Sequence, residues 1–239
     1  MELNEKELLD GNISVATLPV EEKQYQIIEI NNNKLYLFLK RTMDVCASFL
    51  GLVILALPLL VIGLIVKLTS KGPVLFKDKR VGKDRKEITI YKFRSMYIDA
   101  EENIDKYLTP EQKEKWLTER KLDNDPRITP IGRFLRKTSI DELPQLVNIL
   151  RGDISIVGPR PITENELTQN YTENEINILL SSRPGLTGYW QVSGRSNVSY
   201  ESRERQRLEI EYFTKRGFWF DIGIIIKTVF VVLGRKGAH

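Results

Sequence analysis

One long apolar stretch dominates the pattern of the chain. Residues 45–66 carry no charge. As a helix this run would be about 33 Å long, enough to cross a bilayer core. Pro58 lies near its centre, where a proline removes a backbone hydrogen bond and kinks a helix. Both flanks are basic, with Lys34, Lys40 and Arg41 before the run and Lys67, Lys71, Lys77 and Lys79 after it. A straight span would leave one basic flank outside, against the usual bias of positive charge toward the cytoplasm. The pattern predicts a re-entrant membrane helix hairpin over residues 34–69, bent at Pro58, with both ends on one side. A buried core helix is the competing reading, and the unbroken apolar length argues against it.

Shorter periods fill in the rest. Residues 1–33 read as a polar N-terminal segment with a short strand at 25–30 and a turn at 31–33. No basic stretch precedes an apolar core there, so no signal peptide is expected. Residues 70–239 read as a cytosolic catalytic domain. Within it, 74–76 and 87–93 are strands of a small β-hairpin joined near 81–84. Residues 97–121 are helical and charged, interrupted at Pro110, with Ile104, Leu108, Trp116 and Leu117 facing inward. Residues 123–126 form a loop and 131–137 a short basic helix. Residues 154–157 are β-prone, 164–180 helical, 183–188 a rigid loop, and 200–214 a charged helix. From Phe218 on, Ile222, Ile225, Ile226, Val229, Phe230 and Leu233 recur at helical spacing. That suits core packing or an amphipathic helix in the membrane interface. The fold class is α+β and helix-rich.

Composition narrows the chemistry. The 239 residues are 28% charged with a formal net charge of +4. This mild basic excess suits an anionic ligand or a membrane surface and does not call for nucleic acid. Cys46 is the one cysteine, so an intramolecular disulfide is excluded and a reducing compartment fits. The one histidine is His239, the last residue. A Ser-His-Asp or Cys-His apparatus and a zinc site of the usual ligands are therefore not expected. Polar catalysis must rest on carboxylates, Lys, Arg, Tyr or a hard cation held by oxygen.

The segment Thr138-Ser-Ile-Asp-Glu-Leu-Pro-Gln-Leu146 gathers such groups. Asp141 and Glu142 stand side by side, with Arg133, Arg136 and Lys137 upstream and Arg151 downstream. Alone, an Asp-Glu pair reads as a helix cap stabilised by the macrodipole. With Asp141 as the cap, Pro144 falls third in the helix, where it forfeits no bond. Asp141 is thus expected to begin a helix and to stay ionised. Lys92 and Arg94, Arg136, Arg160, Arg183 and Arg195 cluster at rigid or turn positions. Each alone is a solvated charge or surface ion pair. Together they suit a phosphate-binding surface, because the guanidinium fork matches phosphate oxygens. The residues alone point to a membrane-attached domain that handles a phosphorylated ligand with carboxylate chemistry and Mg²⁺.

Six ordered motifs resemble one family. They are Lys40-Arg-Thr-Met-Asp44, Tyr91-Lys-Phe-Arg-Ser-Met96, Asp141-Glu-Leu-Pro-Gln-Leu146, Gly152-Asp-Ile-Ser-Ile-Val-Gly-Pro-Arg-Pro161, Arg183-Pro-Gly-Leu-Thr-Gly188 and Gln191-Val-Ser-Gly-Arg195. Over residues 34–236 the chain resembles the bacterial sugar transferases, monotopic polyprenyl-phosphate phosphoglycosyl transferases. The resemblance implies transfer of a sugar-1-phosphate from a UDP-sugar to undecaprenyl phosphate, with UMP released, as the opening membrane step of exopolysaccharide or capsule synthesis. It implies Asp141 as nucleophile and Glu142 as the Mg²⁺ ligand. Arg136, Arg160 and Arg195, with Lys92 or Arg94, would contact phosphates, and Pro58 would be the membrane-helix break. Leu57 stands before Pro58 where the family often has Ser, and Glu209 where Asp is common. The expected setting is the cytoplasmic face of a bacterial plasma membrane, with membrane lipid around the helix. Glycosyltransferases would follow downstream, and a homodimer stays open. Many relatives carry an extra N-terminal membrane domain that this chain is expected to lack. The ending Gln-Val-Ser-Gly-Arg-Ser resembles members that transfer hexoses, glucose or galactose.

Two rivals remain at this level. A direct transferase would use Asp141 as base or metal ligand without a covalent intermediate. A membrane-tethered scaffold would hold anionic lipid or nucleic acid on its arginines and would not need the Asp-Glu pair.

Overall fold

The computed structural model describes residues 13–20, 24–100, 102–119, 122, 124–193, 200 and 202–234. It opens with an antiparallel pair, β1 (Ile13–Val20) and β2 (Gln24–Asn31). The strand expected at 25–30 therefore has a partner that the polar pattern of the N-terminus had not indicated. Helix α1 (Lys34–Thr69) follows, opened by Asn33, whose side chain accepts from the Tyr36 N–H. Pro58 lies inside this helix. Among the described residues one side of its apolar middle stays bare, with Leu57 and Leu60 71% and 72% exposed, while Gly51 lies against Leu146 and Gly63 against Val74 on the other.

Both ends of α1 are gripped by the rest of the chain. Near its start, Lys40 pairs with buried Asp221 at 2.5 Å. The Tyr36 and Tyr212 hydroxyls donate to the same carboxylate, each at 3.0 Å. Buried Asp44 accepts the Ile156 N–H at 2.9 Å. At its far end, Arg94 donates to the Ser70 carbonyl at 2.7 Å, the Val66 carbonyl at 3.3 Å, the Ser70 hydroxyl and the Pro73 carbonyl. Those carbonyls lack intrahelical partners, and a cation there also complements the negative helix end. Beside this contact Val66, Phe93 and Leu135 form a small core, with Leu59 and Ile62 packed on it.

The remaining elements build one α+β, helix-rich domain. Strands β3 (Leu75–Val81) and β4 (Glu87–Phe93) make the expected hairpin, longer than read from sequence, around a 3₁₀ turn. Helices α2 (Ile104–Tyr107) and α3 (Pro110–Glu119) flank the break near Pro110. Leu108 is buried between them and Trp116 stacks under Arg127, while the Leu117 side chain lies outside the described residues. Helix α4 (Pro130–Thr138) leads through a 3₁₀ turn (Ile140–Glu142) into α5 (Gln145–Arg151). Strand β5 (Ser155–Val157) pairs in parallel with β6 (Gly185–Thr187), so the loop expected at 183–188 is partly strand. The helix expected over 164–180 is two, α6 (Glu164–Asn170) and α7 (Glu173–Leu180). Thr172 and Glu175 form a reciprocal cap at the break, which gives α7 its own start. Helix α8 (Tyr189–Ser193), α9 (Glu204–Lys215) and α10 (Phe218–Leu233) complete the chain.

The main core joins these pieces through Val157, Leu167, Ile176, Ile178, Phe213 and Ile224. Helix α10 contributes Asp221 and Ile224 to the interior, and its Thr228 hydroxyl meets that of Thr187 at 2.7 Å. Its opposite face is bare and apolar: Trp219 is 81% and Phe230 70% exposed, with Ile226 and Val229 beside them. Much of the helically spaced stripe therefore faces outward, as an interfacial helix requires. The Leu233 side chain lies outside the described residues.

Because Arg94 is itself buried and donates to several carbonyls at the end of α1, Arg94→Met should cost about 2–4 kcal/mol of stability by removing those bonds. Arg94→Lys should recover part of that loss. Denaturant unfolding of the detergent-solubilised protein measures both.

Candidate active site

Asp141 does not cap a helix. It sits in the 3₁₀ turn between α4 and α5, and Pro144, not Asp141, precedes the first residue of α5. The turn is set by Ser139, whose left-handed backbone (φ 56°) ends α4. Upstream, Gly132 lets α4 lie against the chain at Ser95, where a Cβ would meet the Ser95 carbonyl oxygen at 1.9 Å. One turn later Arg136 donates to the Ser95 hydroxyl at 2.8 Å. Helix α5 is pinned to β4 by Asn148, which donates to the Thr89 carbonyl and accepts the Tyr91 N–H. These contacts hold Asp141 and Glu142 beside Lys92, whose ammonium lies 3.7 Å from Glu142.

The Asp141 carboxyl is pushed up to about 6. Burial is the main cause and the neighbouring Glu142 charge adds to it, while Lys92 and Arg136 pull the other way. The expectation of a carboxylate made comfortable by a helix dipole is thus corrected: no helix begins at Asp141, and desolvation dominates.

Next to this dyad lies an open cleft. One wall is the β3–β4 hairpin face carrying Asp78, Arg80, Ile90 and Lys92; the pairing of Phe76 with Lys92 and of Asp78 with Ile90 puts them on one side. Glu142 and Gln145 form a second wall, and Arg160, Pro161, Leu186 and Gln191 a third. Arg160 is delivered by the close pass of β5 and β6, where a Cβ on Gly185 would meet the Gly158 nitrogen at 2.1 Å. Its guanidinium makes no hydrogen bond or ion pair among the described residues, though its charge is felt by buried Glu209. Arg80 bridges Asp78 at 2.7 Å and Glu166 at 3.6 Å.

The structure therefore divides the basic residues of the sequence. Lys92, Arg136 and Arg160 gather around Asp141 and Glu142. Arg94 does not, because its two terminal nitrogens are spent on the end of α1 and the turn after it. Arg183 donates to the Gly152 carbonyl beyond α5, and Arg41 donates to Ile149 and Leu150 at the same helix end. Arg195 lies outside the described residues. Arg80, Asp78, Gln145 and Gln191 were missed. The i, i+2 spacing of Asp78 and Arg80 on a strand was the available signal, had the strand been read past Phe76.

No group of three or more His, Cys, Asp and Glu side chains gathers to hold a metal among the described residues. An all-protein cage is therefore not what the site offers. Mg²⁺ is usually held by one or two carboxylates together with substrate phosphates and water. Glu142, partly exposed on the cleft, fits that donor set.

A half-buried carboxylate pair among cations, on a domain that also carries a bare apolar helix face, suits work on phosphorylated ligands. The profile described as "Bacterial sugar transferase" matches residues 35–235, and the chain belongs to that family. It is 43% identical to the undecaprenyl-phosphate galactose phosphotransferase of Salmonella typhimurium, over 90% of this chain and 45% of that protein. It is 39% identical to the exopolysaccharide production protein ExoY of Rhizobium meliloti, over 84% of this chain and 88% of that protein. The UDP-glucose:undecaprenyl-phosphate glucose-1-phosphate transferase of Escherichia coli is 39% identical, over 84% and 41% respectively. The chain spans about half the length of several relatives it matches.

With Asp141 raised, the folded protein binds a proton that the unfolded chain has already released between pH 3.8 and about 6. Stability must fall as pH rises through that window. Asp141→Asn should therefore be more stable than the parent at pH 7, by about 2 kcal/mol. The gain should vanish near pH 4. Denaturant melts at the two pH values test this.

Proposed function

We propose that the chain transfers a hexose-1-phosphate from a UDP-sugar to undecaprenyl phosphate, with Asp141 as nucleophile. The observation that carries the reading is the placement of the Asp141–Glu142 dyad beside Lys92, Arg136 and a cleft holding Arg160. In the first step an Asp141 oxygen attacks the phosphorus that bears the sugar. The bond from that phosphorus to the bridging oxygen breaks, and UMP leaves with that oxygen. In the second step a phosphate oxygen of the lipid attacks the same phosphorus and frees the carboxylate. Lys92, Arg136 and Arg160 offset the diphosphate charge that an anionic nucleophile must approach. Mg²⁺ held by Glu142 would supply further charge neutralisation on the phosphate oxygens. A two-step route lets a soluble donor and a membrane-held acceptor use one site in turn. The relatives named for undecaprenyl-phosphate sugar transfer and exopolysaccharide production support this reading.

Helix α1 supports placement at the membrane. One of its sides is bare and apolar, and one polar domain bonds both its start and its end. A straight span would part those ends by the thickness of the bilayer. We read α1 as re-entrant from the cytoplasmic leaflet at Pro58, with the bare face of α10 in the interface. Asp141 then stands near the surface where lipid phosphates lie.

Two outcomes test these readings. Purified protein with Mg²⁺ and a UDP-hexose should release UMP and form lipid-linked sugar, with activity falling on the acid side of about pH 6 as Asp141 protonates. Asp141→Asn should remain folded and lose turnover; parent-like activity in that variant would remove Asp141 from the mechanism. For topology, Lys34→Cys and Lys113→Cys in a Cys46→Ser background should both resist an impermeant thiol reagent in intact cells. Labelling of Lys34→Cys from outside would establish a true span.

A further inference from the structure

The cleft carries two kinds of chemistry, and the transfer reaction uses only one of them. Of its cations, Arg80 is held by Asp78 and Glu166, while Lys92 and Arg160 suit phosphate oxygens. Its two carboxamides do not share that role. Gln145 is 4% exposed, lines the cleft, and makes no side-chain hydrogen bond among the described residues. Gln191 lines the same cleft, and its Oε1 is buried without a partner. Buried amide groups are normally paired, and leaving them bare costs stability. Gln191 Oε1 is such an atom, and Gln145 stands without a side-chain hydrogen bond at the same cleft, which marks a place suited to a ligand.

The donor set points to the ligand. Phosphate oxygens only accept at neutral pH, whereas a carboxamide offers both an acceptor and two donors. A sugar hydroxyl also does both. Asp78, fixed by Arg80 at 2.7 Å, adds a carboxylate acceptor to the same cleft. Position agrees with chemistry. Leu143 and Pro144 keep helical dihedrals, so Gln145, three residues after Glu142, lies on the same side of the turn. The sugar is attached to the phosphorus that is attacked, so it must lie next to the dyad. Both amides stand on held elements. Helix α5 is pinned by Asn148, and α8 by the Arg205 guanidinium 4.5 Å over the Trp190 ring.

We propose that Gln145, Gln191 and Asp78 form the hydroxyl-recognition subsite for the donor sugar, setting which hexose is accepted rather than how tightly the nucleotide is held. This rests on the UDP-sugar transferase reading above.

The test compares Gln145→Met, Gln191→Met and Asp78→Asn with the parent, each as the full chain. UMP release is measured with UDP-glucose and UDP-galactose, and UDP affinity by calorimetry. The parent should prefer one hexose. Each variant should lose about tenfold or more in kcat/KM for that hexose and move the ratio of the two sugars toward unity. UDP affinity should change less than about twofold, because UDP carries no hexose to contact the subsite. An unchanged sugar ratio, or an equal loss of UDP affinity, would overturn the proposal. Should Gln145→Met fail to fold, Gln191→Met and Asp78→Asn carry the same comparison. A parent that releases UMP from neither UDP-sugar would instead contradict the transferase reading, so the two failures are distinguishable.

Discussion

A helix with one bare apolar side has to be held along the other side and at its ends. In this chain the grips are polar and buried: Asp44 under the Ile156 N–H, Lys40 on Asp221, and Arg94 on the carbonyls around Ser70. Polar groups of this kind tolerate burial only when paired, and the pairing fixes position as apolar contact alone would not. Ile156 lies four residues before Arg160 on the segment that crosses into the cleft. Arg94 lies two residues after Lys92 at the end of the same strand. The two grips on the apolar helix are therefore continuous in the backbone with two cationic walls of the cleft. Anchoring and chemistry share a frame.

The electrostatics of the dyad oppose stability. Asp141 is desolvated and next to Glu142, and the cations beside it do not fully compensate. A carboxylate held in this state has less solvation to lose when a charged phosphate arrives, at the cost of a less stable fold at neutral pH. Arg136 sits in the same balance: burial disfavours its charge, and Asp141 offsets only part of that. The anionic ligand expected in the cleft would find cations without full partners, Arg160 above all.

Much of this was legible in the sequence, and the reasons for the rest are physical. The uncharged run and its basic flanks gave the naked helix, because hydropathy over that length has few other uses. The hairpin and the basic helix before Ser139 also stood where expected. The arginines did not sort themselves. A guanidinium fork suits phosphate and helix-end carbonyls equally, so Arg94, Arg183 and Arg160 look alike until the fold shows that the first two already have their acceptors. The start of α5 was misplaced because Pro144 fits either just before or just inside a helix. Gln145 and Gln191 were invisible as chemistry, since an amide declares itself only by lacking a partner. The split at Thr172 carried a readable capping box that the apolar period across it concealed.

The central claim is that Asp141 forms a covalent bond to the transferred group. Intact-mass spectrometry after rapid quench, with UDP-hexose and Mg²⁺ present and lipid acceptor withheld, tests it most directly. The account predicts a mass increment of one phosphohexose, mapped by peptide analysis to Asp141 and removed when undecaprenyl phosphate is added. Full-rate formation of lipid-linked product with no adduct at any quench time would contradict it and establish direct transfer.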